Sequence, residues 1–109
     1  MTMDSLLILT NLPDAESAEK LARALVEARV AACVNVLAPC RSIYRWQGQL
    51  EAADEIPLLI KTTAVNYPGV EAVVRAHHPY DVPELIATPI TNGLPAYLEW
   101  LAMETDKHD

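Results

Sequence analysis

The chain has 109 residues, of which 51% are hydrophobic, and its 8 basic and 15 acidic side chains leave a net charge of −7. That length fits one domain over 1–109, no apolar run approaches the roughly eighteen residues of a membrane span, and the acidity argues against a phosphate backbone as partner, which needs clustered Lys and Arg. The opening Met1-Thr2-Met3-Asp4 lacks the basic, apolar and small-residue order of a signal peptide, so a soluble, cytoplasmic protein is expected.

Ser5-Leu6-Leu7-Ile8-Leu9-Thr10 reads as a buried strand closed by a turn at Asn11-Leu12-Pro13-Asp14. Asp14 is placed to cap a helix from Ala15 to Ala28, with Glu16 and Glu19 near its positive end. Ala18, Leu21, Ala22, Leu25 and Val26 recur at three and four residues and form its apolar stripe.

From Val30 to Lys61 the β-branched, aromatic and aliphatic runs predict a long hairpin, and Gln47-Gly48 is the one turn signal strong enough to reverse it. Each arm then has about fourteen to sixteen residues, against a usual five or six, and spans on the order of 50 Å. The first helix covers only about 21 Å at 1.5 Å per residue, so much of the hairpin projects beyond anything the chain can lay over it. An uncovered, partly apolar ribbon is an aggregation hazard unless another chain pairs with it. Pro39 should bend or bulge the first arm between Leu37 and Ser42, and Pro57 should face its missing amide outward or sit at a bulge.

A second helix is expected from near Pro68 to before Pro79, with Tyr67, Val70, Val73 and Val74 on its inner side. A strand follows over Glu84–Ile90. Asn92-Gly93 turns the chain into a last helix that carries Tyr97, Leu98 and Leu101 on one side, and Met103 to Asp109 reads as a frayed polar tail. The order β-α-β-β-α-β plus a terminal helix is the split βαβ, ferredoxin-like arrangement, an α+β sandwich with two helices on one face of an antiparallel sheet. The other face has only the last helix to cover it.

Of the two cysteines, Cys33 reads as a small hydrophobe in an apolar strand and Cys40 as exposed. Their spacing gives neither a zinc site nor a disulfide expected of a reducing compartment. His77 and His78 are candidate ligands for copper or another divalent metal ion. Adjacent residues diverge by about 100° on a helix, however, so one ion needs a bend there, and the alternative is a helix C-terminus that interacts with its own histidines. Tyr44 and Trp46, beside Arg45 and Gln47, form either an interface anchor or a ligand platform. Lys61 ends the second arm as a solvated strand end or an anion contact. Glu84 stands at a strand entrance and could pair with Lys61 or Arg45 across the sheet or a subunit boundary. Glu51, Asp54 and Glu55 read as a wet acidic face. No Ser-His-Asp order, phosphate-cradling glycine loop or His-Glu-x-x-His helix appears, so no enzyme is expected.

Ala31-Ala32-Cys33-Val34-Asn35, Ser42-Ile43-Tyr44-Arg45-Trp46-Gln47-Gly48, Lys61-Thr62, His78-Pro79-Tyr80-x-Val82-Pro83-Glu84 and Tyr97-Leu98-x-Trp100 together resemble the CutA family of divalent-cation tolerance proteins. The resemblance covers nearly the whole chain. It implies a ferredoxin-like homotrimer joined by its long hairpins, with a role in tolerance to copper and other divalent metals. In members with a copper site the resemblance implies ligands at His77 and His78 and at a first-strand cysteine, and here that last position is Thr10, a poor ligand for copper. The trimer also resembles the PII signalling proteins. This gives the alternative of a sensor that binds a small molecule in an intersubunit cleft, with Trp46, Lys61, Tyr80 and Glu84 as candidates.

Overall fold

A computed structural model describes residues 4–106; the first three and last three residues, which carry part of the leader and tail readings, lie outside the described residues. Strand β1 (Ser5–Leu12) runs two residues past the expected end, so the turn shrinks to Pro13-Asp14. Its alternation buries Ile8, Thr10 and Leu12 on one face. Helix α1 (Ala15–Glu27) starts as expected, with the Ser17 N–H donating to Asp14 Oδ1 over 2.7 Å. Its buried stripe is Ala18, Leu21, Ala22 and Leu25.

The first hairpin arm is split into β2 (Cys33–Val36) and β3 (Cys40–Trp46), and the return arm is one strand, β4 (Gln49–Thr63). Val36 pairs with Leu58, whereas Cys40 pairs with Glu55. The first arm therefore carries one residue more than its partner between those pairs, which is a β-bulge at Ala38-Pro39. The Leu37 N–H donates to Pro57 O over 3.0 Å, and Pro57 has no amide hydrogen to return the bond. Both prolines thus meet at one break in the ladder. Trp46 pairs with Gln49 across a two-residue turn in which Gln47 (φ 49°) and Gly48 (φ 79°) are both left-handed, the geometry that suits strand twist.

Helix α2 (Tyr67–His77) follows, then β5 (Ile86–Ile90) and α3 (Pro95–Glu104). Strand β5 begins two residues later than expected, which leaves Glu84 in the loop before it. Asn92-Gly93 lies in the loop that leads from β5 into α3, as expected; a Cβ on Gly93 would lie 3.0 Å from Leu98 Cδ2, so close packing is what favours glycine there. Met103 and Glu104 lie in α3 and Thr105 is buried, so fraying is excluded at least that far.

The sheet order is β2-β4-β1-β5, all antiparallel, with β3 extending the β4 side as a separate ribbon. This is the split βαβ order, so the α+β expectation holds. Ile8, Leu12, Leu21, Leu25, Leu58, Ile60, Val70 and Val74 form the core between the sheet and helices α1 and α2. Each contributes about 1.5–3 kcal/mol on burial. On the other face α3 contacts β4 and β1. It is tied down where Asn66 Nδ2 donates to Thr63 Oγ1 and to the Thr105 carbonyl.

Candidate functional site

The polar groups converge at the root of the ribbon, where β1 ends, β4 leaves the sheet and the α2–β5 loop crosses over. Pro79 pushes the residue before it out of the helical region, and His78 accordingly has extended backbone (φ −78°, ψ 134°) just past the end of α2. Its buried ring then reaches β1. Nε2 lies 2.7 Å from the Asn11 carbonyl, and Nδ1 accepts the Tyr80 N–H over 3.2 Å. A carbonyl only accepts, so the hydrogen is on Nε2 and the Nδ1 lone pair is already used. The Tyr80 ring lies 4.8 Å from the His78 ring, and its hydroxyl donates to Glu55 Oε2 over 3.1 Å. Burial above all, then the bond to the Glu55 carboxylate and its negative charge, pushes the Tyr80 phenol up to about 12. Asn11 Nδ2 donates to Glu84 Oε1 over 2.7 Å, so Asn11 links both ends of the loop to β1.

These groups flank a cavity of about 620 Å³, lined by Tyr44 and Trp46 from β3, Glu55 from β4, and Tyr80, Asp81 and Glu84 from the loop, among others. Cross-strand pairing explains why the ribbon contributes those residues. Tyr44 stands opposite Glu51 and Cys40 opposite Glu55, so the alternating positions Ser42, Tyr44, Trp46, Glu51 and Glu55 share one face. Arg41, Ile43, Arg45, Leu50 and Asp54 share the other, where Arg41 pairs with Asp54 at 3.3 Å.

Three expected site residues, Trp46, Tyr80 and Glu84, therefore meet in one cavity. Lys61 does not join them. It lies six residues along β4 from Glu55, about 20 Å at strand rise, opposite Leu7 and Cys33 in the sheet. Within the chain Glu84 pairs with neither Lys61 nor Arg45 but with Asn11, because it precedes β5 instead of opening it.

The two histidines do not share a site within the chain. His77 is exposed, and its Nδ1 donates to the Val73 carbonyl at 3.0 Å, which leaves the Nε2 lone pair to solvent. His78 has no nitrogen to spare. Thr10 is fully buried on the core face, with Oγ1 unpartnered among the described residues. No group of three His, Cys, Asp or Glu side chains among the described residues could hold one ion. Among the described residues, one chain thus offers a metal one exposed imidazole nitrogen, which does not amount to a closed coordination site. Both cysteines are free, Cys33 partly buried and Cys40 exposed.

The profile of the family described as CutA1 divalent ion tolerance protein matches residues 6–104. The chain belongs to that family. The divalent-cation tolerance protein CutA of Thermus thermophilus is 47% identical over 98 residues, which make up 90% of this chain and 95% of that protein. The crystal structure of CutA from Xylella fastidiosa superposes with a TM-score of 0.92 at 48% identity, over 94% of this chain and 99% of that one. The chloroplastic protein CutA of Arabidopsis thaliana is 40% identical over 104 residues, which are 95% of this chain and 57% of that longer protein. This CutA-family chain has no helix among its described residues long and apolar enough to cross a membrane.

Sequence reasoning missed Glu55, Asn11 and Asp81. The signal for Glu55 was present: with period two it shares a face with Glu51 and departs from Asp54, so the acidic run splits between both faces. Asn11 reads from sequence as a turn residue, and a turn gives its side chain no such meaning.

Proposed function

We propose that this chain acts as a single-domain homotrimer in divalent-cation tolerance, contacting copper or another divalent metal ion through His77, and that it works by binding, not by catalysis. The observation that carries the assembly is the ribbon's outer face, where Ile43 and Leu50 are 69% and 72% exposed on a two-stranded extension that no helix covers. Apolar surface of that kind calls for a partner, and the family resemblance supports three copies. His77 Nε2 suits copper, which binds imidazole most tightly of the divalent ions. A contact through this one exposed nitrogen is open and exchangeable, which fits tolerance better than storage. The cytoplasm is the proposed compartment, with a chloroplast among the compartments named for relatives.

The cavity favours a second reading, a PII-like trimer that senses a small molecule between subunits. Its volume is in the range of small-ligand sites, and Trp46, Tyr80 and Glu84 line it.

Light scattering should return about 36 kDa, three times the 12.0 kDa chain. Copper(II) titration calorimetry should show binding that His77→Ala abolishes and His78→Ala, which perturbs folding instead, does not remove selectively. Unchanged copper affinity in His77→Ala would refute the metal contact.

A further inference from the structure

Taking the cleft reading as its base, the geometry points to an organic cation bearing primary ammonium groups, of the aliphatic polyamine class, as the ligand of the ribbon-root cavity. The lining combines three carboxylates, Glu55, Asp81 and Glu84, with the aromatic rings of Tyr44, Trp46 and Tyr80, and no Lys or Arg among the described residues belongs to it. Alternation explains the sorting: Arg41 and Arg45 lie on the opposite face of the ribbon. An anion would meet repulsion from three sides of the cavity wall that one chain supplies, and that chain's own Lys61 is not part of this wall.

Glu55 makes the strongest demand. It is only 9% exposed, its one hydrogen bond is from the neutral Tyr80 hydroxyl, and no cation pairs with it among the described residues. A carboxylate removed from water without a counter-charge is costly, and an incoming ammonium would relieve it. Glu84 spends Oε1 on Asn11 and keeps Oε2. The carboxylates therefore retain acceptor capacity, which selects N–H donors over a quaternary ammonium. They are also too dispersed for one metal ion, since no three such ligands cluster, but dispersed acceptors suit a chain with several ammonium groups. The indole of Trp46 and the phenol rings add cation–π attraction and apolar contact for the methylene stems.

The test is titration calorimetry of the full chain with spermidine at low ionic strength, with ATP as the anionic probe. Spermidine should bind and ATP should not. Glu55→Gln and Glu84→Gln should each weaken spermidine about tenfold, Trp46→Ala about threefold, and Glu16→Gln, an equal change of charge on α1, should leave it unaltered. Should circular dichroism show Glu55→Gln unfolded, Glu84→Gln and Asp81→Asn carry the comparison. An equal loss in Glu16→Gln would mean diffuse attraction and overturn the site, as would unaltered affinity in the cavity variants or a preference for ATP. Light scattering on the same samples separates the two ideas. A trimer that ignores spermidine sinks the cation and keeps the assembly, whereas a 12.0 kDa species with cavity-dependent spermidine binding does the reverse.

Discussion

Tyr80 donates its hydroxyl hydrogen to a carboxylate that is almost fully buried, and both circumstances hold the phenol's proton in place. In the unfolded chain that proton leaves near the ordinary value of 10.0, whereas in the fold it stays until about 12. The sign follows from linkage: the contribution is fully present below pH 10 and is lost as pH rises toward 12, because unfolding then releases a proton. Tyr67 shifts in the same direction, chiefly through burial, but is common to wild type and a Tyr80 variant. Melting temperatures at pH 8 and pH 11 should therefore fall further in wild type than in Tyr80→Phe. At pH 8 the variant should also be about 1–3 kcal/mol less stable, since Glu55 loses its donor. Parallel melting curves for the two proteins across that range would deny Tyr80 this bond. At this scale the sequence was legible where one residue acts locally, as with Asp14 at the start of α1. It was less so where neighbours in sequence part in space. His77 and His78 read as a pair, yet Pro79 ends the helix between them and sends one ring to solvent and the other to Asn11. The proline rule was in hand, and what it could not supply was the strand that lay waiting for the second ring.

Gln47 adopts a left-handed backbone without a glycine's freedom, because the two-residue turn between β3 and β4 needs positive φ at both central positions. Asn tolerates that region several-fold better than most residues, so Gln47→Asn should stabilise the ribbon by up to about 1 kcal/mol. Urea unfolding with an unchanged slope is the measure, and a less stable variant would show that the Gln47 side chain has a contact that outweighs backbone strain. The hairpin and its turn were readable because strand propensity and turn chemistry agreed over the whole stretch. The bulge was placed correctly between Leu37 and Ser42 from Pro39 alone. That Pro57 stands opposite the same break emerged only from the register, which the sequence pattern does not fix across an irregularity. The end of β1 differs because Asn11 and Leu12, turn-forming by sequence, are held in the strand by tertiary pairing with Pro57 and Ile56.

The molecule extends 47 × 26 × 23 Å, and the long dimension contains a ribbon whose two faces have different chemistry. Trp46 belongs to the cavity face and Leu50 to the outer one, while Ile43 alternates onto the outer face with Leu50 and also borders the cavity. The aromatic pair expected from sequence as an anchor thus faces the cavity, and Leu50, which does not line it, makes the proposed assembly testable apart from ligand binding. Each outer apolar side chain, fully buried by a neighbouring copy, would contribute about 1.5–3 kcal/mol, repeated around a closed ring of three. The double variant Ile43→Ser, Leu50→Ser should thus shift the mass in dilute solution from about 36 toward 12.0 kDa, while helix content stays near that of wild type because the core residues of α1 and α2 are untouched. Trp46→Ala should keep the larger mass. Wild-type melting should rise with protein concentration, as mass action requires of any species stabilised by association, and the double variant should lose that dependence. A double variant that remains trimeric, with melting as concentration-dependent as before, would move the contact to the half-covered second face of the sheet, where Leu7, Leu9, Leu59 and Lys61 are partly exposed, and leave the ribbon without its proposed purpose.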